Sequence, residues 1–375
     1  MARGTHPFPL RSLRPVLFNS LVFVLFLAVV YGAWRALPLR LGRYLLLAGS
    51  MVFYGWWDWR FLGLLLGTAT LDWALARGME GASPGRRKLL VTVSVVSNLG
   101  VLALFKYLGF FSRELSAALA AVGVELSPFT LSAVLPVGIS FYTFQAMAYT
   151  VDVYRGRVAA CRGLLDFWLF ISFFPQLVAG PIERSQRMLP QLAEMRRASA
   201  PEHAEAAWLV TWGYVKKVVV ADNLAPIVAA GFDAENPGSL DVVVAAYAFT
   251  FQIYCDFSGY SDIARGVARL FGVDLVENFA RPFFAASPRE IWHRWHISLS
   301  GWLRDYLYLP LGGNRKRPAF NLIATMVLGG LWHGANWTYL LWGLWHGLAL
   351  ALGRALPRPP LPRWILVIAT FHVTC

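Results

Sequence analysis

The 375-residue chain predicts an all-α fold, a polytopic bundle of membrane-spanning helices with re-entrant or amphipathic helices around a central tunnel. Three observations carry this. Hydrophobic residues make up 57% of the chain and charged ones 15%, against about 25% charge in a soluble domain. Predominantly apolar runs at 16–34, 44–57, 89–105, 208–230 and 241–253 approach or exceed the roughly 20 residues that cross a bilayer, or form the core of such a crossing. None alternates with period two, which excludes a barrel and leaves helices as the way to satisfy the backbone in lipid.

About ten or eleven crossings or near-crossings follow in order. The first, 16–36, opens after Arg3, Arg11 and Arg14 like a signal peptide. It is too long and lacks a small-x-small cleavage site, so it reads as a retained helix. Segments 41–58, 60–76 and 88–111 come next, divided by basic loops (Arg35, Arg40 and Arg43; Arg86, Arg87 and Lys88) that face anionic headgroups. Segments 131–153 and 164–180 carry the breaks LPVG (135–138) and Phe174-Pro175 through Gly180-Pro181. Such breaks are tolerated in lipid only beside protein or a water-filled cavity, so they point to one. Segments 206–230 and 240–257 lead into a polar stretch, 256–317, too charged for a lipid-facing crossing and too apolar for an open loop. It reads as an amphipathic or re-entrant region. Segments 319–332 and 336–353 flank a third break, Leu328-Gly329-Gly330, and the last, 363–375, has about a dozen apolar residues and no cap. The chain therefore reads as one domain over 1–375, cut short inside a helix, with residues 363–375 expected to have few partners.

The 34 basic and 21 acidic side chains leave a net charge of +13. In a membrane protein this belongs to loops facing lipid headgroups, so no nucleic-acid partner is expected. Cys161, Cys255 and Cys375 form no disulfide or zinc pattern, and Cys255 reads as a buried packing thiol. No bound cofactor and no metal are expected.

The chemistry points to two of seven histidines. His333 lies in GGLWHGANW (329–337), between apolar arms. An ionisable residue at membrane depth is a functional candidate, its flanking glycines allow close approach, and a neutral imidazole suits a general base near pH 7. The competing reading is a helix-packing histidine. On a continuous helix over 289–306, Trp292, Trp295, His296, Leu299, Trp302, Leu303 and Tyr306 share one face, and Arg289, His293, Ser300 and Arg304 another. His296 is then embedded in an aromatic stripe, as a core or a functional histidine, and His293 is structural. His346, 13 residues past His333, would lie about 20 Å along a continuous helix and reads as structural.

The blocks FYGWW (53–57), LPVGISFYTFQ (135–145), FPQLVAGPI (174–182), YCDFSGYSD (254–262), WHISLS (295–300), RDYLY (304–308), PLGG (310–313) and LWHGA (331–335), in this order, resemble the membrane-bound O-acyltransferase family, in particular its alginate O-acetylation membrane-subunit branch. The resemblance implies an acyl, here acetyl, group passed from a cytoplasmic thioester donor (acetyl-CoA or an acyl-carrier thioester) to hydroxyls of an extracytoplasmic polysaccharide. Transfer would run directly or through a secreted or membrane-anchored hydrolase-like partner, from a multi-pass protein of the inner membrane. His333 and His296 match the family's two characteristic histidines, the first as base, the second positioning groups or lining a tunnel. Trp295, Arg304, Asp305, Trp332 and Asn336 are the expected substrate-binding residues. The chain departs from the family at His293, often Arg there, and ends before further helices. The alternatives are a glycan-export transporter or flippase using the charges of 256–305 as a relay, and a non-catalytic scaffold.

Overall fold

Proline, glycine and one local ion pair mark where the apolar runs are cut. The computed structural model describes residues 18–127, 135–178, 180–357 and 359–374. Arg3, Arg11, Arg14, Ala179, Cys375 and the first residues of segments 16–36 and 131–153 lie outside that description. Helix α1 (Leu21–Ala36) starts where Ser20 accepts from the Phe23 amide at 3.2 Å. Segments 41–58 and 60–76 merge into one 40-residue helix, α2 (Leu39–Gly78), interrupted where Asp58 leaves helical geometry (φ −159°) and takes the Arg60 guanidinium at 2.6 Å. Segment 88–111 becomes α3 (Pro84–Leu102), a π-helical turn (Ala103–Tyr107) and α4 (Leu108–Ala120).

Gly138 (φ +76°) opens α5 (Ile139–Tyr154), and a side chain there would meet the Leu177 carbonyl at 2.6 Å. Segment 164–180 is cut into α6 (Leu164–Ser172) and α7 (Phe174–Leu177), because Phe173 (ψ 108°) leaves the helix two residues before Pro175. All four residues of α7 are buried, and α6 buries Phe167, Leu169, Phe170, Ile171 and Ser172 while Leu165 is exposed. Then come α8 (Ser185–Ala193), α9 (Ala200–Tyr214), a second π-helical turn (Val215–Ala221), α10 (Asp222–Phe232) and α11 (Ser239–Leu270). Short helices α12 (Pro288–Arg294) and α13 (Ile297–Leu303) lead through a third π-helical turn (Arg304–Tyr308) to α14 (Pro318–His333), α15 (Trp337–Ala355) and α16 (Arg363–Thr374). Among the described residues there is no strand.

By length and composition, two continuous helical stretches, Pro84–Ala120 and Ser239–Leu270, can each cross a membrane. Leu21, Val29, Trp208 and Leu240 are exposed on outer surfaces, as an apolar solvent allows. Polar pairs fasten the interior. Asp72 on α2, fully buried, accepts from Ser94 at 2.5 Å and Asn98 at 2.7 Å on α3, and Ser94 meets Thr150 of α5 at 2.8 Å. Lys216 pairs with Asp262 at 2.5 Å and Lys217 with Asp256 at 2.7 Å, tying the second π turn to α11.

Within 363–374 Thr370 alone is buried, and the helix rests on the rest of the protein through a small set of side chains. Phe371 packs on Phe283 (5.3 Å between ring centroids) and Phe251 (6.0 Å), Trp345 donates to the Val373 carbonyl at 2.7 Å, and Arg363 reaches Glu290 at 2.8 Å. The aromatic stretch 247–283 provides a docking surface that the apolar pattern of the last run did not reveal.

Candidate active site

The site begins with a tight helical hairpin. Antiparallel α14 and α15 pack through glycine: a side chain at Gly330 would meet the Tyr339 carbonyl at 2.1 Å, and one at Gly343 the Met326 carbonyl at 2.4 Å. Close backbone approach of this kind is how helices associate in lipid. His333 is the last residue of α14. The chain then turns extended at Gly334, and Asn336 starts α15 by accepting from the Thr338 amide at 3.2 Å. The turn folds α15 back beside α14, so the 20 Å separation expected of a continuous helix does not apply to His346.

His296 does not sit on a continuous helix either. The helix over 289–306 is broken between α12 and α13, and His296 takes a left-handed conformation (φ 43°, ψ 55°) between them. Asn278 supports it from outside: its carbonyl accepts from the Ile297 amide at 3.0 Å and its Oδ1 from the Ser298 amide at 3.1 Å. Two otherwise orphaned amides of α13 are thus satisfied. A non-glycine residue held left-handed stores strain, which persists where its surroundings over-determine it. His296 is 1% exposed, and both ring nitrogens are buried without a partner among the described residues.

His296 and His333 come together with ring centroids 6.5 Å apart on a cavity of about 630 Å³. Of the expected binding residues, Trp295 and Trp332 also line it. Trp332 is the structural centre of the wall. It packs on Phe141 at 5.5 Å, on His333 at 4.9 Å and on Phe144 at 5.4 Å, and Phe144 stacks on Trp302 at 3.8 Å. Apolar Phe249, Ile253, Phe283 and Ile291 complete the other side.

Two polar residues on the wall were not expected there. His346, read as structural, is 4% exposed and lines the cavity; Trp342 lies between it and His333, with centroid distances of 4.6 and 5.3 Å. Lys106, on the first π turn, donates to Ser140 Oγ at 3.1 Å and to the Trp332 carbonyl. Its signal in the sequence is a lysine in the interior of the apolar segment 88–111.

Arg304, Asp305 and Asn336 are not on the cavity wall. Arg304 is exposed and pairs with Asp305 at 2.8 Å, Asp305 also takes Arg184 at 3.3 Å, and Asn336 caps α15. His293 is exposed, and Cys255 is buried. The charges suggested as a relay pair locally, as Lys217–Asp256 and Arg294–Glu290 (2.7 Å each) do, so they neutralise one another away from the cavity. Among the described residues no three His, Cys, Asp or Glu side chains form a metal site.

Three histidines and a lysine around an aromatic chamber suit proton transfer coupled to attack on a carbonyl. The model of the membrane-bound O-acyltransferase family matches residues 159–358, over half the chain. The chain belongs to the membrane-bound O-acyltransferase family. This acyltransferase is 44% identical over 357 residues to a probable alginate O-acetylase of Azotobacter vinelandii, covering 93% of the chain and 71% of that protein. It is 44% identical over 350 residues to the probable alginate O-acetylase of Pseudomonas putida (91% and 71%). To a peptidoglycan O-acetyltransferase of Helicobacter pylori it is 35% identical over 379 residues (91% and 71%). As a member of the family it is an integral membrane protein and an O-acyltransferase, and its helical architecture is that of a polytopic bundle.

Proposed function

We propose that the cavity is the acyl-transfer chamber, with His333 as general base and His296 as the residue that positions the reacting groups. The meeting of the two imidazoles, 6.5 Å apart on one wall, carries this reading. His333 takes the proton of the acceptor hydroxyl, whose oxygen adds to the carbonyl carbon of the acyl donor. The tetrahedral intermediate collapses with cleavage of the carbon–sulfur bond, and the departing thiolate recovers the proton from His333. His296, with both nitrogens free of protein partners, hydrogen-bonds to the groups in transit. Trp295 and Trp332 supply the apolar wall against which the acyl group rests. Arg304, Asp305 and Asn336 act outside the chamber in this reading.

The donor is a thioester, acetyl-CoA or an acyl-carrier thioester, delivered from the cytoplasmic side. The acceptor is an extracytoplasmic polysaccharide, reached directly or through a hydrolase-like partner by a multi-pass protein of the inner membrane. Relatives named for alginate and peptidoglycan O-acetylation support an acetyl group and a glycan acceptor.

The test is ester-linked acetate on isolated glycan, normalised to protein in the membrane fraction, in full-length variants. His333→Ala is expected to lose a factor of about 10²–10⁴, the usual contribution of a general base. His296→Ala falls severely, and His293→Ala, whose side chain is exposed, stays near wild type. Full acetylation by well-expressed His333→Ala protein refutes the assignment.

A further inference from the structure

Lys106 carries an ammonium group into the interior of an apolar helix pair, at a turn where the backbone passes from α-helical to π-helical geometry. Single π-helical turns inside helices occur frequently at functional sites. The group has three hydrogens to donate. Two have acceptors, Ser140 Oγ and the Trp332 carbonyl, and both acceptors are neutral. Among the described residues it forms no ion pair, although the other interior lysines do: Lys216 on Asp262 at 2.5 Å, and Lys217 on Asp222 at 2.8 Å and Asp256 at 2.7 Å. A cation at membrane depth without a counter-ion is costly, and such residues are found where a charge in transit repays the cost.

The position of the group says where that charge arises. Lys106 lines the same cavity as His333 and His296. Its Nζ lies 5.5 Å from the centroid of the Trp332 ring, and the carbonyl it grips belongs to the residue immediately before His333. No acceptor for the remaining hydrogen is found among the described residues, and Lys106 lines the chamber together with the base. We propose that Lys106 is a further catalytic residue, whose ammonium donates to the acyl carbonyl oxygen and stabilises the oxyanion formed on addition of the acceptor hydroxyl. The inference rests on the acyl-transfer reading given above.

The step balances without any further reactant. As the hydroxyl oxygen bonds to the carbonyl carbon, its proton passes to His333 and the carbonyl π pair moves onto oxygen, where Lys106 faces it. The pair returns as the carbon–sulfur bond breaks, the thiolate takes the proton from His333, and Lys106 ends as it began, protonated. A preorganised donor of this kind acts without reorganisation in a chamber of low dielectric, and removing one costs a factor of about 10²–10³ in rate. Ser140 and the Trp332 carbonyl hold the ammonium in place, so the same contacts also position it.

The experiment measures base-released ester acetate from total polysaccharide and cell envelope, per unit of membrane-inserted protein, in cells carrying full-length variants. Lys106→Met keeps the length of the side chain and removes the donor and charge; Lys106→Gln keeps a neutral donor; Lys106→Arg keeps the charge. The expected order is wild type above Arg, with Met and Gln both lower than wild type by about 10²–10³ at undiminished membrane level. A Lys106→Gln protein as active as wild type overturns the proposal, because a neutral donor to the Trp332 carbonyl then suffices. Equal losses in Arg, Gln and Met overturn it as well, since charge is then not what matters. If Lys106→Met does not accumulate, the comparison of Arg with Gln still decides. His333→Ala run in parallel separates the two claims. Full activity there removes the chamber reading itself, whereas an inactive His333→Ala beside a fully active Lys106→Gln removes only the role of Lys106.

Discussion

At the residue scale the chamber is a set of aromatic and imidazole rings in mutual contact, several of them edge to face. His346 meets Trp342 at 62° and Trp292 at 87°, and Trp342 meets His333 at 87°. His346 packs on Trp342, which packs on the proposed base, and this makes it a positioning residue. His346→Ala is expected to lower acylation, per unit of membrane protein, by up to about a hundredfold, the cost of an ångström's misplacement of a reacting group. His346→Phe, which keeps a ring against Trp342, retains most of the activity. Loss of activity in the Phe variant equal to that in Ala would assign the imidazole a direct chemical role instead. His333 was legible because glycine and tryptophan surround an ionisable group inside an apolar run. His346 was not, because its distance from His333 was measured along a helix that Gly334 and Asn336 end. Lys106 was passed over because one cation in an apolar run reads as an interruption until a cavity is seen beside it. His296 was separated from His293 on a helical wheel; the structure gives the same separation, burying one and exposing the other, through a break that the wheel did not contain.

Elements carry the geometry from one residue to the next. The hairpin of α14 and α15 sets where His333 stands, and its spacing is fixed by Gly330, Gly343 and Gly347, whose added side chains would meet backbone of the facing helix between 2.1 and 2.8 Å. Gly343→Ala forces the helices apart, at the roughly 1–3 kcal/mol typical of overpacking. The expected outcome is a lowered melting temperature in detergent and an activity loss larger than the loss of protein, because His333 moves with α14. Gly353→Ala, whose side chain would meet only Pro288 Cδ at 3.9 Å, is the control and should behave as wild type. Equal behaviour of the two variants would show that the spacing of the hairpin does not govern the site. The apolar runs themselves were legible from composition. The cuts were legible where proline or paired glycine marks them, as at Phe174-Pro175 and Gly329-Gly330. The π turns were not, because Ala103–Tyr107, Val215–Ala221 and Arg304–Tyr308 share no residue pattern and depend on tertiary packing.

Across the whole molecule, the chamber is assembled from distant parts of the chain. Lys106, Ser140 and Phe141 come from before α10, whereas His296, Trp332, His333 and His346 come from after it. The two parts are joined covalently by an exposed loop over 233–238. They are joined physically by the Lys216–Asp262 and Lys217–Asp256 pairs and a close approach at Gly259, where a side chain would meet the Gly213 carbonyl at 2.8 Å. Neither set depends on the loop, and breaks in exposed loop tips are the ones proteins tolerate. Dividing the chain after Glu235 should therefore leave each fragment without activity, because one lacks both histidines and the other lacks Lys106 and the Phe141 support of Trp332. Co-expressed, the fragments are expected to associate in the membrane and return acylation to within about tenfold of the intact chain. Removing the interface charge in one fragment by Lys216→Met takes away the nearer cation of Asp262, which keeps only Arg265 of its own helix at 3.5 Å, and should weaken this complementation more than it weakens the intact protein. The measurement is glycan-bound acetate together with co-purification of the two fragments. Activity from the second fragment alone would mean that transfer does not use the chamber described. Co-purifying but inactive fragments would mean that the covalent loop, and not the ion pairs between them, sets the register of the two halves.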